Sequence, residues 1–163
     1  MKNHAIGALT MAASLAVLAV LFEIPVSTHH SFAMYDQSKT VTLTGVVRQF
    51  VAQANHAQLH FILLTPDRKG LTKGADGKYV DSGVEMAGAA AVAQQGITAA
   101  AFGVGTVFSV RLNPLRDGSN FGSRIGAVAR CPMDSATNKP KLPAPEKHCD
   151  SVEGHTLSGG TQF

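Results

Sequence analysis

Three stretches of this chain repeat apolar residues with a period of two, and that period decides the fold class before anything else does. Val104 to Leu112 alternates cleanly. Ala57, Leu59, Phe61 and Leu63 share one face while His56, Gln58, His60 and Ile62 share the other, and Val41 to Phe50 is rich in β-branched residues and partly alternates. A period of two belongs to a half-buried strand, whose side chains leave the sheet alternately on its two faces. Gly45 within Val41 to Phe50 predicts a bend or bulge. Pro66 to Gly77 carries the Pro, Asp and Gly of a hairpin or longer loop, and Lys78 to Val84 can return as a third strand. The Ala-rich Glu85 to Gln95, stopped by Gly96, is the one plausible helix. Asn113 to Asn120 is dense turn chemistry, and Ser123 to Arg130 can close a pair with the strand before it. Five strands with one short helix between the third and fourth predict an all-β protein, a small OB-like antiparallel barrel. A short open antiparallel sheet is the alternative. Phe50, Phe61, Phe102 and Phe108 fall at core positions, as packing groups rather than stacking platforms.

The apolar residues are unevenly spread over the 163 positions. After Met1, Lys2, Asn3 and His4 comes an uncharged run from Ala5 to Phe22, ended by Glu23, Ile24 and Pro25. A basic start, an apolar run and a break read as a secretory signal over 1–28, with a retained membrane anchor as the alternative if the leader is not cut. Small residues allow cleavage before His29 or before Met34, and the shorter distance from the apolar run favours His29. Residues 29–130 hold 46 apolar positions out of 102 and form the barrel domain, whereas 131–163 hold 9 out of 33 with four of the seven prolines. The second piece predicts a Pro/Gly-rich tail without a core of its own, mobile beyond any cross-link. Export would place Cys131 and Cys149 in an oxidising compartment, periplasmic or secreted, where a pair of Cys is usually a disulfide; a metal site with His148 or His155 is the competing reading.

Ten Lys and Arg against six Asp and Glu make the body basic, but these bases are scattered and not interleaved with aromatics. Nucleic acid is therefore not expected as a partner. No serine stands in a G-x-S-x-G setting, and H-E-x-x-H, phosphate-loop and dinucleotide patterns are missing, so the sequence predicts no enzyme.

Two groups of residues could carry binding. A cut before His29 would put a free amine and an imidazole on one residue, which together chelate Cu(II); His30 adjoins it, and His56 at a strand start is the natural further ligand. His56 and His60 are about 13 Å apart on an extended strand, too far to share an ion. The bland account is a polar mature start and a His56 that hydrogen-bonds a turn. In the second group, Arg116 with the backbone donors of Asp117 to Ser119 could hold a carboxylate or phosphate, with Asn120 in the same loop, Arg111 and Arg124 on adjoining strands and Gln58 and His60 on the exposed face. Its bland account is a tight turn in which Asp117 bonds the backbone and Gly118 supplies positive φ.

His29-His30-Ser31-Phe32-Ala33-Met34-Tyr35-Asp36, Val41-Thr42-Leu43-Thr44-Gly45-Val46-Val47, Asn55-His56-Ala57 and Asn113-Pro114-Leu115-Arg116-Asp117-Gly118-Ser119-Asn120-Phe121-Gly122 jointly resemble a family of small exported bacterial proteins of unknown function. Many relatives read W-x-N-P-H around the Asn-His pair, where this chain has Gln53-Ala54-Asn55-His56. The resemblance implies an exported β-rich domain and brings no activity. Together these readings predict a monomeric, non-enzymatic module of the cell envelope that binds a small molecule or an envelope protein, the alternative being a periplasmic copper-binding protein.

Overall fold

The computed structural model describes residues 32–160. The leader, the cleavage position at His29, and His29 and His30 themselves lie outside the described residues. Five strands build the body: β1 (Val41–Val51), β2 (Gln58–Leu63), β3 (Asp81–Glu85), β4 (Val107–Pro114) and β5 (Phe121–Arg130), with the helix α1 (Ala89–Gln94) between β3 and β4. β1 pairs antiparallel with both β2 and β4, β2 with β3, and β4 with β5; β3 and β5 then pair in parallel through Gly83 and Phe121 to close the ring. The closed order 1-2-3-5-4-1, with a helix between the third and fourth strands, is the barrel expected of an OB-like chain. The open-sheet alternative fails because of the β3–β5 pairing.

Alternation puts Val47, Leu59, Phe61, Val84, Phe108, Val110, Leu112 and Val128 inside, and Met86, Val92, Ile97 and Phe102 join them from α1 and its flanks. Phe108 meets Phe61 at 5.0 Å and Phe102 at 6.1 Å between ring centroids, both edge to face. Gly45 does not make the bulge of β1, which falls between Val47 and Gln49. Its role is close approach: a Cβ there would lie 2.6 Å from the Phe61 ring and 2.7 Å from the Ile62 carbonyl oxygen. The helix is also shorter than expected. Glu85 belongs to β3, opposite Gln58, and the amide of Met86 donates to the Ala57 carbonyl, so the sheet claims the first residues of the Ala-rich run.

The tail is more ordered than its composition predicts. A short ribbon, β6 (Met133–Asp134) with β7 (Lys139–Pro140), is followed by β8 (Thr156–Ser158), which pairs with Val128 to Arg130 of β5. Cys131 and Cys149 form a disulfide. Both lie in a second apolar cluster with Leu64, Val107 and Ala129, against which Val46, Leu71, Val152 and Leu157 pack. Thus the outward apolar residues of the barrel supply the core that the tail lacks. Arg68, buried in the 64–80 loop, donates through Nε and Nη2 to the Lys147 carbonyl and fastens the tail a second time.

Where tail meets barrel, the Cys149 amide donates to Ser109 Oγ (2.8 Å), the Ser109 and Thr44 hydroxyls are 2.7 Å apart, and Thr44 Oγ1 is 2.7 Å from His148 Nδ1. Every hydroxyl proton finds an acceptor if Ser109 donates to Thr44 and Thr44 donates to a neutral His148. Burial, and secondly the Arg68 charge, hold the His148 pKa below its ordinary value, against a weaker pull from Asp150. As pH falls through about 6.5 the unfolded chain takes up this proton first, so the contribution to stability is present above that pH and is lost between it and the folded pKa. Urea midpoints should therefore fall as pH is lowered from about 7 to about 5, and His148→Gln should flatten that part of the profile. An identical slope in the variant would remove His148 as its source.

Candidate functional site

On the outside of the barrel, β2 and β3 present a polar face built by the same alternation that fills the core. Gln58 and His60 point outward between Leu59 and Phe61, and the register sets Gln58 opposite Glu85 and His60 opposite Gly83. Past its bulge, β1 adds Gln49 opposite His60. Gln58 Oε1 and His60 Nε2 are 3.2 Å apart, a contact that orients both groups. Gly83 leaves room for the Phe121 ring, whose Cδ2 and Cε2 occupy the space a Cβ would take, and that ring lies 6.3 Å from the His60 ring.

Two loops bound this face, the β1–β2 loop carrying His56 and the β4–β5 loop carrying Arg116 to Asn120. His56 Nδ1 lies 3.5 Å from Glu85 Oε1. The phenol of Tyr35, only 3% exposed, bonds the same carboxylate. Burial first, and then the Glu85 charge and hydrogen bond, push the Tyr35 pKa up to about 12. Tyr35, Glu85 and His56 thus form one connected group at the edge of the face.

The β4–β5 loop holds the chain that precedes the barrel. The Arg116 amide donates to the Met34 carbonyl (3.0 Å), its Nε to the Ala33 carbonyl (3.0 Å), and the Asp36 amide to the Pro114 carbonyl (2.8 Å). Asp36 lies 3.9 Å from Arg116 Nη1 and 3.1 Å from Lys39 Nζ. Hydrogen bonds from Ser38, and secondly Lys39, hold the Asp36 carboxyl at about 2.

Of the residues singled out from the sequence, Gln58, His60, His56 and the Arg116 loop come together around this face. Asp117 acts as a turn residue: its carboxylate accepts from the Ser119 amide and hydroxyl, which lower its pKa, and Gly118 has φ +78°. Asn120 is exposed, and its carbonyl accepts from the Gly83 amide. Arg111 lies on β4 between Thr42 and Ile125. Arg124 does not join Arg116: its Nη2 donates to Gln95 Oε1 (2.6 Å), its Nη1 is buried beside Gly159, and burial lowers its pKa. Among the described residues no group of three or more His, Cys, Asp or Glu is placed to hold a metal ion, and no helix is long and apolar enough to cross a membrane. Sequence reasoning missed Tyr35, Glu85 and Phe121 as members of the face. The signal for Glu85 was available in the period-two continuation of β3, which the Ala-rich run after it masked.

A model described as "Family of unknown function (DUF6152)" matches residues 16–124, a span that covers the five-strand body as far as Arg124. No curated protein and no solved structure matches the chain.

Proposed function

Because the chain belongs to that family of unknown function, we propose from its own residues that it is an exported, non-enzymatic binding module whose outer β2–β3 face takes a small, neutral, hydroxyl-rich ligand. The observation that carries this reading is the oriented Gln58–His60 pair beside Phe121, set between two loops. Amide and imidazole groups offer donors and acceptors together, and an aromatic edge offers an apolar patch, the combination that suits a sugar-like molecule. In barrels of this order the same face and loops are where oligosaccharides and oligonucleotides bind. The cations nearby are engaged: Arg48 pairs with Asp81 at 3.1 Å, and Arg116 bonds the Ala33 carbonyl and approaches Asp36. With Glu85 also on the face, an anionic polymer is disfavoured.

Export is supported by the apolar leader and by the disulfide, which is compatible with an oxidising compartment. Cleavage before His29 keeps the Ala33 carbonyl that Arg116 binds, whereas cleavage before Met34 removes it.

Titrating the mature protein with maltotriose should shift the amide signals of Gln58, His60 and Phe121 saturably, and His60→Ala should abolish the response while leaving the rest of the spectrum in place. Shifts scattered over the surface, or retained in full by His60→Ala, would sink this reading.

A second reading has its own observation. A carboxylate on His56 Nδ1 is the arrangement that fixes a histidine tautomer for ligation through Nε2, so His56 with His29 and His30 suits Cu(II). N-terminal sequencing that finds Met34 first would end the copper reading, as would imidazole signals of His29 and His56 that ignore added Cu(II).

A further inference from the structure

A cleft of about 400 Å3 opens at the end of the barrel where the segment after α1 meets the tail, lined by Ala101, Thr106, Arg130, Pro132, Met133 and Thr156 among others. Arg130 and Thr156 are direct partners across β5 and β8, so their side chains leave the sheet on one face. The guanidinium is held from behind: Nη1 donates to the Ala101 carbonyl at 2.8 Å, and its centre lies 6.0 Å from the Phe102 ring. Among the described residues no carboxylate pairs with it, unlike Arg48, Arg116 and Lys39, each of which has an acid. A half-buried cation with no counter-ion, fixed in orientation and facing a cleft, is a receptor for an anion. The walls narrow the class: Thr106 and Thr156 bring hydroxyl donors, while Ala101, Pro132 and the 55% exposed Met133 bring apolar surface.

We propose that this cleft binds a small organic carboxylate, its oxygens on Arg130 and the threonine hydroxyls and its alkyl part against Ala101, Pro132 and Met133. The site is separate from the β2–β3 face and does not depend on the reading given to that face. A cleft of this volume is at the small end of those that hold organic ligands, which suits a short-chain acid.

The test is titration of the mature, disulfide-bonded protein with butyrate, read by amide shifts. Saturating shifts are expected at Ala101, Arg130, Met133 and Thr156, with binding weakened at least about tenfold for uncharged butyramide. Arg130→Gln should lose the response. Met133→Asp, an exposed change that sets a negative charge at the cleft mouth without touching the core, should weaken it comparably and covers the case in which Arg130→Gln fails to fold. Absence of saturation with butyrate, equal binding of butyramide, or inorganic phosphate binding as tightly as butyrate would each overturn the proposal; the last would mean that the apolar wall takes no part. Maltotriose and His60→Ala should leave these signals alone, so the two sites fail separately.

Discussion

Phe108→Ala is expected to destabilise the protein by about 4 kcal/mol, near the upper end of what a single core truncation costs. Phe108 is fully buried at the centre of the barrel, edge to face with Phe61 and Phe102, so the change removes two aromatic contacts and opens a cavity. The cavity cannot collapse easily, because Phe61 sits on a closed ring of strands and Phe102 is held beneath the Arg130 guanidinium. Net stabilities of single domains are about 5–15 kcal/mol, so this one change removes a large share. The urea midpoint should fall sharply with the slope preserved, and Tm should drop by roughly 15 °C. Phe121→Ala provides the contrast: its ring is only half-buried and rests on the outside of the barrel, so its loss should cost about 1 kcal/mol. Equal costs for the two would mean that the inside and outside of β4 and β5 are misassigned.

The strands were legible because a closed sheet with one buried face writes its period directly into the side chains. The limits of that reading are physical. Glu85 to Gln95 has high helix propensity, yet pairing of Glu85 with Gln58 and bonding of Met86 to Ala57 outweigh it, and the helix shrinks to Ala89–Gln94. Gly88 precedes it where the β1–β2 loop approaches so closely that a Cβ would collide with the Ala54 carbonyl, a contact no local pattern encodes. The order of the tail does not show in its own few apolar residues, because its core is supplied by the barrel. Val46 beside Val47, Val107 beside Phe108, and Ala129 beside Val128 are apolar neighbours on strands, and such pairs mark stretches covered on both faces. The second cover is the tail.

The site was partly legible for the same reason. Gln58 and His60 occupy the polar half of an alternating strand, so their outward direction follows from sequence, and the turn role of Asp117 and Gly118 follows from residue type. The placement of Tyr35 on Glu85 does not follow. It depends on the β4–β5 loop capturing the chain before β1 through Arg116, and on Glu85 ending a strand rather than starting a helix. Arg68 is a similar case: it looks like a loop charge, and only the path of the tail turns it into a buried donor to Lys147.

Replacing both Cys131 and Cys149 by alanine is expected to cost about 3 kcal/mol, from the entropy the unfolded chain regains when a loop closed across 18 residues is opened. The loss should not be spread evenly. None of the thirteen residues at the centre of the main core comes from the tail, whereas Cys131 and Cys149 are two of the five at the centre of the second cluster. What remains to hold the tail, besides the packing of Val152 and Leu157 on that cluster, is a handful of polar contacts and a short pairing: Arg68 on the Lys147 carbonyl, the Glu146 amide on the Pro66 carbonyl, the Gly159 amide on the Gln95 carbonyl, the Thr44–Ser109–His148 network and the three-residue β8. Each of these contributes on the order of a kcal/mol, too little to keep the segment closed continuously. Partial opening should therefore precede global unfolding, because elements with few buried contacts open at lower free energy than the core. Trypsin should cut the double variant at Lys141 or Lys147 well before it attacks the barrel, and amides of β1 to β4 should keep their exchange protection. If the variant and the bridged protein were cut at the same rate, the barrel's outer apolar face and Arg68 would suffice to seat the tail, and the disulfide would act only on the unfolded chain.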